Sequence, residues 1–260
     1  MNSKSIKMSN PQFYTLIIGS EILNRRRNDA HFDFVTKALV QKGHTLTASF
    51  TIEDDPDLII QTIKFIASQP NPVLFSFGGI GSTPDDYTRK CVAIALKDGE
   101  IPVHQEAKKI IEDTLGGNAY PHPIKMAELP KGAELLDNPV NKMPAFSLDE
   151  RFFFMPGFPE MSHPMVEKIL KKLIPCKKEQ YRHSFTALCK ENEFIEVMEK
   201  MPKEVEFSSL PKLYNDGKKS SWKVTISVAS DDQALSDEAF EMYLQVLKEK
   251  NIVYALVDEA

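Results

Sequence analysis

Apolar residues recur along this chain with two different periods, and the alternation between them outlines a fold. Phe13 to Ile18 is a near-continuous apolar run of strand length, Phe32 to Val40 has helical spacing, and Thr45 to Ile52 is strand-like again. Asp57 to Ala67 repeats the helical pattern through Ile59, Ile60, Ile63 and Ile66; Val73 to Phe77 is a third strand and Asp85 to Leu96 a third helix. This β-α-β-α-β-α order predicts a parallel sheet covered by helices on both faces, with ligands gathered outside the carboxyl ends of the strands. Gly19 and Gly78 stand at two such ends. His104 to Leu115 reads as a further helix, whereas Tyr120 to Pro144 is too broken by Pro and Asn for long elements. Arg151 to Met155 is a short aromatic strand that leads through Pro156, Gly157, Phe158, Pro159 and Glu160 into a helix ending near Lys172.

After Pro175 the pattern restarts. His183 to Leu188, Val205 to Leu210, Trp222 to Val228 and Ile252 to Val257 read as strands, with helices over Glu191 to Met201 and Leu235 to Lys250. That is the β-α-β-β-α-β, ferredoxin-like or KH-like order of a small α+β domain. It contains no cysteine cluster, no GXXG loop and no aromatic RNA-binding signature, and it reads as a structural or dimerising module. Two domains are therefore expected, 12–174 and 180–260, behind a loosely attached tail of eleven residues.

The chemistry concentrates where the third strand ends. Gly78, Gly79 and Gly81 allow a tight approach of backbone to ligand, and a helix opening near Pro84 would aim free N–H groups at an anion, as in a phosphate cradle. Ser82 and Thr83 add hydroxyls, and Asp85 and Asp86 add two acids that would repel a bare phosphate, which suggests a bridging divalent cation or a carboxylate acting on water. A plain helix start explains part of the same stretch, with Thr83 as N-cap, Pro84 as first helical residue and Asp86 as the acid of a capping box. Capping does not account for three glycines in four positions directly after a buried strand. The second turn, Pro156 to Glu160, is of a kind that often only redirects a chain.

Composition adds exclusions. The 260 residues are 42% hydrophobic and 27% charged with a formal net charge of −5, which is ordinary for a soluble protein and argues against a nucleic-acid partner. The basic stretch Lys168 to Lys178 alternates with Ile169, Leu170, Leu173 and Ile174 and reads as the solvated face of an amphipathic helix. Cys91, Cys176 and Cys189 are too sparse for zinc or a disulfide framework and fit reduced thiols in the cytoplasm. No membrane-spanning run or signal segment is expected.

Four segments together carry a family resemblance: Gly19-Ser20-Glu21-Ile22-Leu23 with Asp29 downstream; Gly78-Gly79-Ile80-Gly81-Ser82-Thr83-Pro84-Asp85-Asp86-Tyr87-Thr88; Leu129-Pro130-Lys131-Gly132-Ala133 with Asn138-Pro139-Val140; and Pro156-Gly157-Phe158-Pro159-Glu160-Met161. They resemble the successive motifs of the CinA family. The resemblance implies a three-layer, doubly wound domain of the molybdenum-cofactor-biosynthesis (MoaB/Mog) fold, followed by the small α/β domain; it does not reach a nicotinamide-mononucleotide deamidase domain. It also implies a molybdopterin-like or nucleotide pyrophosphate ligand, and metal-dependent (Mg²⁺ or Co²⁺) hydrolysis of an ADP-ribose-class pyrophosphate, the alternative being pterin- or nucleotide-phosphate binding without turnover. By this likeness Asp86, Glu21 and Asp85 are the catalytic candidates, Asp86 and Glu21 the candidate metal ligands. Gly19, Ser20, Asp29, Gly78, Gly79, Gly81, Ser82, Thr83, Thr88, Asn138, Pro156, Gly157 and Glu160 would contact the ligand, in a homo-oligomer of at least two copies. Two departures stand out: Ser20 replaces an acid common in relatives, and Met143-Pro144-Ala145 replaces Ala-Pro-Gly. The three turns are expected to share one cleft, with Glu21 and Asp86 facing the same space.

Overall fold

The computed structural model describes residues 10–174, 179–215 and 220–257, and divides the chain into two compact units, Met1–Lys177 and Lys178–Ala260. The expected tail up to residue 9, and Pro175 and Cys176 of the expected connection, lie outside the described residues.

In the first unit, strands β1 (Gln12–Ile18), β2 (Leu46–Ile52) and β3 (Pro72–Phe77) form a six-stranded sheet with β4 (Glu134–Leu136), β5 (Ala145–Leu148) and β6 (Phe152–Met155), in the order β2-β1-β3-β6-β5-β4. The pairs β1–β2, β1–β3 and β3–β6 are parallel, while β5 and β4 add on antiparallel. Every residue of β3 and β6 is buried, which is why these strands read as unbroken apolar runs, whereas the edge strand β2 alternates in exposure.

The helices of this unit are α1 (Ser20–Leu23), α2 (His31–Val40), α3 (Pro56–Ala67), α4 (Thr88–Leu96), α5 (Gln105–Leu115) and α6 (Pro159–Leu173). Helix α2 packs with α6, and α3 with α4. From β1 the chain steps to β2 on one side and then returns to β3 on the other, so right-handed crossovers send the two helix pairs to opposite faces of the sheet. The result is the three-layer MoaB/Mog-like architecture, with its switch point between β1 and β3. Local chemistry fixes the helix starts where the sequence is explicit: Asp55 accepts from the Leu58 N–H at 2.7 Å with Pro56 behind it, and Pro159 opens α6.

One local expectation is corrected here. Helix α4 begins at Thr88, not at Asp85, because Thr83 to Asp86 closes a separate turn (Asp86 N–H to Thr83 O, 3.1 Å) and the Thr88 N–H bonds back to Gly79 O at 3.0 Å. Thr83 and Pro84 therefore do not cap α4. The passage read as too broken for long elements holds only the three-residue β4, with the short β5 just beyond it; the β5–β6 turn uses Asp149 and Glu150 at φ 53 and 52, a hairpin geometry for which the sequence shows no Asn-Gly signal.

The second unit contains β7 (Tyr181–Ala187), α7 (Ile195–Glu199), β8 (Glu206–Asn215), β9 (Ser220–Ser230), α8 (Gln233–Glu249) and β10 (Tyr254–Leu256). Its antiparallel sheet has the order β10-β7-β9-β8, the ferredoxin-like arrangement, around a core that includes Phe185, Phe194, Ile226 and Tyr243. The helix expected over Glu191 to Met201 is a 3₁₀ turn (Glu191–Phe194) followed by the short α7. Phe194 leaves helical geometry as its ring meets Phe185 and Tyr243 at 5.7 and 5.6 Å. Among the described residues no helix is long and apolar enough to cross a membrane.

Candidate functional site

Strands β1, β3 and β6 are adjacent and parallel, so the segments leaving their carboxyl ends meet at one rim. They surround a cavity of about 500 Å³, lined by Glu21 from the first segment, Gly78 to Thr83 with Asp85 and Asp86 from the second, and Pro156 to Phe158 from the third. Its floor and walls include Ile18, Ile80, Met126, Met143, Pro144 and Met161.

The glycine loop is held by its backbone. Gly78 and Gly79 have φ of 102 and 65, and a Cβ would lie 2.3 Å from Ile18 O at the first and 2.3 Å from Thr88 Oγ1 at the second, so both positions require glycine. Thr88, buried, donates its hydroxyl to Gly78 O at 3.0 Å. Next to it Arg89, 8% exposed, donates from Nη1 to both Ile80 O and Gly81 O. Burial lowers the pKa of Arg89 from its ordinary value, opposed by the charges of Asp86 and Glu128.

The two acids of the loop have different surroundings. Asp86 Oδ1 accepts from the Gly81 N–H at 2.9 Å, and Oδ2 accepts from the Thr83 N–H at 2.7 Å and the Thr83 hydroxyl at 2.6 Å. A carboxylate thus already occupies two N–H groups of the cradle, and half of the expected capping box survives around a turn rather than a helix. Asp85 is exposed, and its carboxyl is held below the ordinary range by the Thr83 hydroxyl and by its own backbone N–H.

Around the rest of the rim, Arg27 is the hub. Its Nη2 donates to Gly157 O at 2.7 Å, its guanidinium lies 5.3 Å from the Phe158 ring centre, and Nη1 is 4.0 Å from Glu21 Oε1. His31, stacked on Phe77 at 4.1 Å, places Nε2 3.3 Å from the same Gly157 O; burial pushes its pKa down to about 4. At Gly157 an added Cβ would stand 3.4 Å from Gly78 Cα, an ordinary contact.

Of the expected ligand contacts, Gly78, Gly79, Gly81, Ser82, Thr83, Pro156 and Gly157 line the cavity; Gly19, Ser20, Asp29, Thr88, Asn138 and Glu160 are not among its lining residues. Asp29 accepts from the N–H groups of His31 and Phe32 at 2.8 and 3.1 Å and so holds the start of α2. Asn138, buried, braces the facing loop through Asn141 Oδ1 and the Val140 N–H. Ser20 donates its N–H and hydroxyl to Asp54 Oδ2 at 2.8 and 2.9 Å, and Asp54 itself lines the cavity. A carboxylate therefore reaches this rim from the end of β2 although Ser20 supplies none. Sequence reasoning missed Asp54, Arg27 and Arg89. The first follows a strand's carboxyl end, and the last is a cation in the first turn of a helix, where the dipole disfavours it; both were available signals.

Comparisons with known proteins bear on this region. Residues 14–175 match the family described as "Probable molybdopterin binding domain". A CinA-like protein of Citrifermentans bemidjiense is 30% identical over 165 residues, 61% of this chain and 39% of that protein. A protein of Caldivirga maquilingensis is 30% identical over 166 residues, 62% of this chain and 64% of that one. The chain thus spans less than two thirds of the length of either relative. The crystal structure of CinA, of unknown function, from Thermoplasma acidophilum superposes with a TM-score of 0.57 at 23% identity, over 63% of this chain and 99% of that one, a likeness of fold.

Proposed function

Because the chain belongs to the molybdopterin-binding-domain family through residues 14–175, we propose that the cavity binds a diphosphate ester of a pterin or nucleotide and hydrolyses its pyrophosphate bond. The observation that carries this reading is the cavity itself: the glycine loop after β3 and a second glycine turn line one space large enough for such a ligand. Charge then specifies the form in which the ligand arrives. Glu21, Asp54, Asp85 and Asp86 line the cavity against a single lining cation, Arg27, so a bare diphosphate would be repelled. Among the described residues no group of three or more His, Cys, Asp or Glu side chains could hold a metal ion, whereas a cation carried in on a diphosphate needs only one or two carboxylates. The substrate is accordingly the Mg²⁺ or Co²⁺ complex of the diphosphate, its charge already reduced.

Glu21 is the carboxylate suited to accept a proton from water, since its charged partner Arg27 stands 4.0 Å away while both oxygens of Asp86 are engaged by the loop. The engagement of Asp86 also favours a second reading, binding without turnover. One experiment separates them: calorimetric titration of the protein with ADP-ribose, ADP and FAD, with and without Mg²⁺, paired with ³¹P detection of products. Binding that requires Mg²⁺ and a product that disappears in Glu21→Gln supports the hydrolase; Mg²⁺-dependent binding with no product supports the binding protein; absence of binding to every diphosphate sinks both.

A further inference from the structure

We propose that Arg89 is the positioning residue of the cavity's oxyanion receptor, setting the direction of the loop N–H groups that take a phosphoryl oxygen. The inference rests on the diphosphate reading above and names the group that builds its anion site.

Four consecutive carbonyls of the loop point the same way. Gly78 O accepts from the Thr88 hydroxyl at 3.0 Å, Gly79 O from the Thr88 N–H at 3.0 Å, and Ile80 O and Gly81 O both from Arg89 Nη1. A trans peptide is planar with its C=O and the next N–H opposed, so these four bonds turn the N–H groups of Gly79, Ile80, Gly81 and Ser82 away from the head of α4. Gly81 gives its N–H to Asp86 at 2.9 Å. Gly79, Ile80 and Ser82, which line the cavity, are left to a ligand.

Arg89 is costly where it stands, and helix stability does not account for it. It is a cation in the first turn of α4, against the helix dipole, it is buried, and its Nε has no hydrogen-bond partner. What it gains is the pair of carbonyls, and what the loop gains is a positive charge beneath its peptide planes, balanced at a distance by Asp86 and Glu128. Lysine would keep the charge but bring an ammonium on a flexible stem in place of a rigid guanidinium.

The probe is inorganic pyrophosphate with Mg²⁺, followed by ¹⁵N–¹H spectra of the whole chain. In the wild type the Gly79, Ile80 and Ser82 amides are expected to shift on titration. In Arg89→Met, affinity should fall about tenfold or more, the worth of one or two hydrogen bonds, and those three shifts should vanish while amides of the sheet keep their positions. Arg89→Lys, which retains the charge if the methionine variant does not fold, should recover only part of the affinity. Pyrophosphate binding in either variant within about twofold of the wild type, with the same three amides shifting, overturns the role of Arg89 alone. A wild type that does not bind the probe overturns this inference, while the diphosphate-ester reading stands or falls with the titration of ADP-ribose, ADP and FAD.

Discussion

The turns that follow β3 and β6 look alike as strings of residues, each a glycine turn between a buried strand and a helix, yet they present opposite sides of the backbone. After β3, carbonyls are tied down by Thr88 and Arg89 and N–H groups remain. After β6, the exposed group is a carbonyl, Gly157 O, which receives Arg27 and His31. The glycines differ in purpose as well. Gly78 and Gly79 are required by backbone angles of φ 102 and 65, whereas a Cβ at Gly157 would stand 3.4 Å from Gly78 Cα, in ordinary contact. A glycine after a strand therefore marks a close approach without saying which backbone group is offered.

The largest expected effect tests that distinction. Gly78→Ala would place a methyl 2.3 Å from a backbone oxygen that cannot rotate away, at φ 102. Strain and overlap together should cost about 3 kcal/mol or more in urea unfolding. Gly79→Ala collides with the Thr88 hydroxyl, which can turn aside only by giving up Gly78 O, and should lie close behind. Gly157→Ala meets its neighbour at 3.4 Å and should cost about 1 kcal/mol or less. Equal losses at Gly78 and Gly157 would erase the difference drawn between the two turns.

Acid separates the turns by another route. His31 sits under the β6 turn, and its folded pKa is pushed down to about 4 from 6.5, chiefly by burial, although Gly157 O and Asp29 favour the charged form. A histidine whose folded pKa is depressed is kept neutral by the fold, so the unfolded chain binds the extra proton first. Stability is then intact above pH 6.5 and declines as pH falls towards 4, by about 3 kcal/mol at most. His163, stacked on Phe34 at 3.8 Å and also lowered by burial, contributes in the same direction. Unfolding midpoints across this range should slope downward in the wild type and flatten in His31→Gln, leaving the share of His163. The glycine loop from Gly78 to Arg89 contains no histidine, so hydrogen exchange should report the α2–α6 side loosening first. A slope unchanged in His31→Gln would remove His31 as the origin.

What could be read from the chain alone follows the range of the interactions. The buried strands, their parallel order and the placing of Gly19 and Gly78 at neighbouring strand ends depend on local periodicity and on rules of connection, and they were legible, whereas Gly157 joined that rim only through the family resemblance. The start of α4 was not, because Thr83, Pro84 and Asp86 satisfy a local capping pattern while the Thr88 N–H is claimed by Gly79 O. Arg27 was invisible for a different reason. It reaches Gly157 across 130 residues, and no period or spacing encodes such a pair; Asp54 was readable from its place after a strand, but its bond to Ser20 across 34 residues was not. Asn138 shows the converse case, a polar side chain expected at a ligand whose hydrogen bonds brace Asn141 and Val140.

The smallest contrast is also the sharpest, because it falls on adjacent residues of one type. Asp86→Asn keeps an acceptor oxygen but loses the charge that faces Arg89 and one of the two carboxylate oxygens that bind Gly81 and Thr83, and should cost about 1–2 kcal/mol. Asp85→Asn should leave the unfolding midpoint where it is, since the side chain is fully exposed and its depressed pKa reflects one hydroxyl and one N–H at the surface. Its effect belongs to the ligand. With one carboxylate fewer around the cavity, a diphosphate needs less charge cancelled before it enters, so the Mg²⁺ concentration giving half-maximal binding should fall in Asp85→Asn. In Asp86→Asn the same titration should instead show weaker binding at saturating Mg²⁺, because the loop that presents the N–H groups has lost its internal anchor. Reversed outcomes, with Asp85 governing stability and Asp86 only the cation requirement, would show that the carboxylate built into the loop is Asp85's and that the cradle is held some other way.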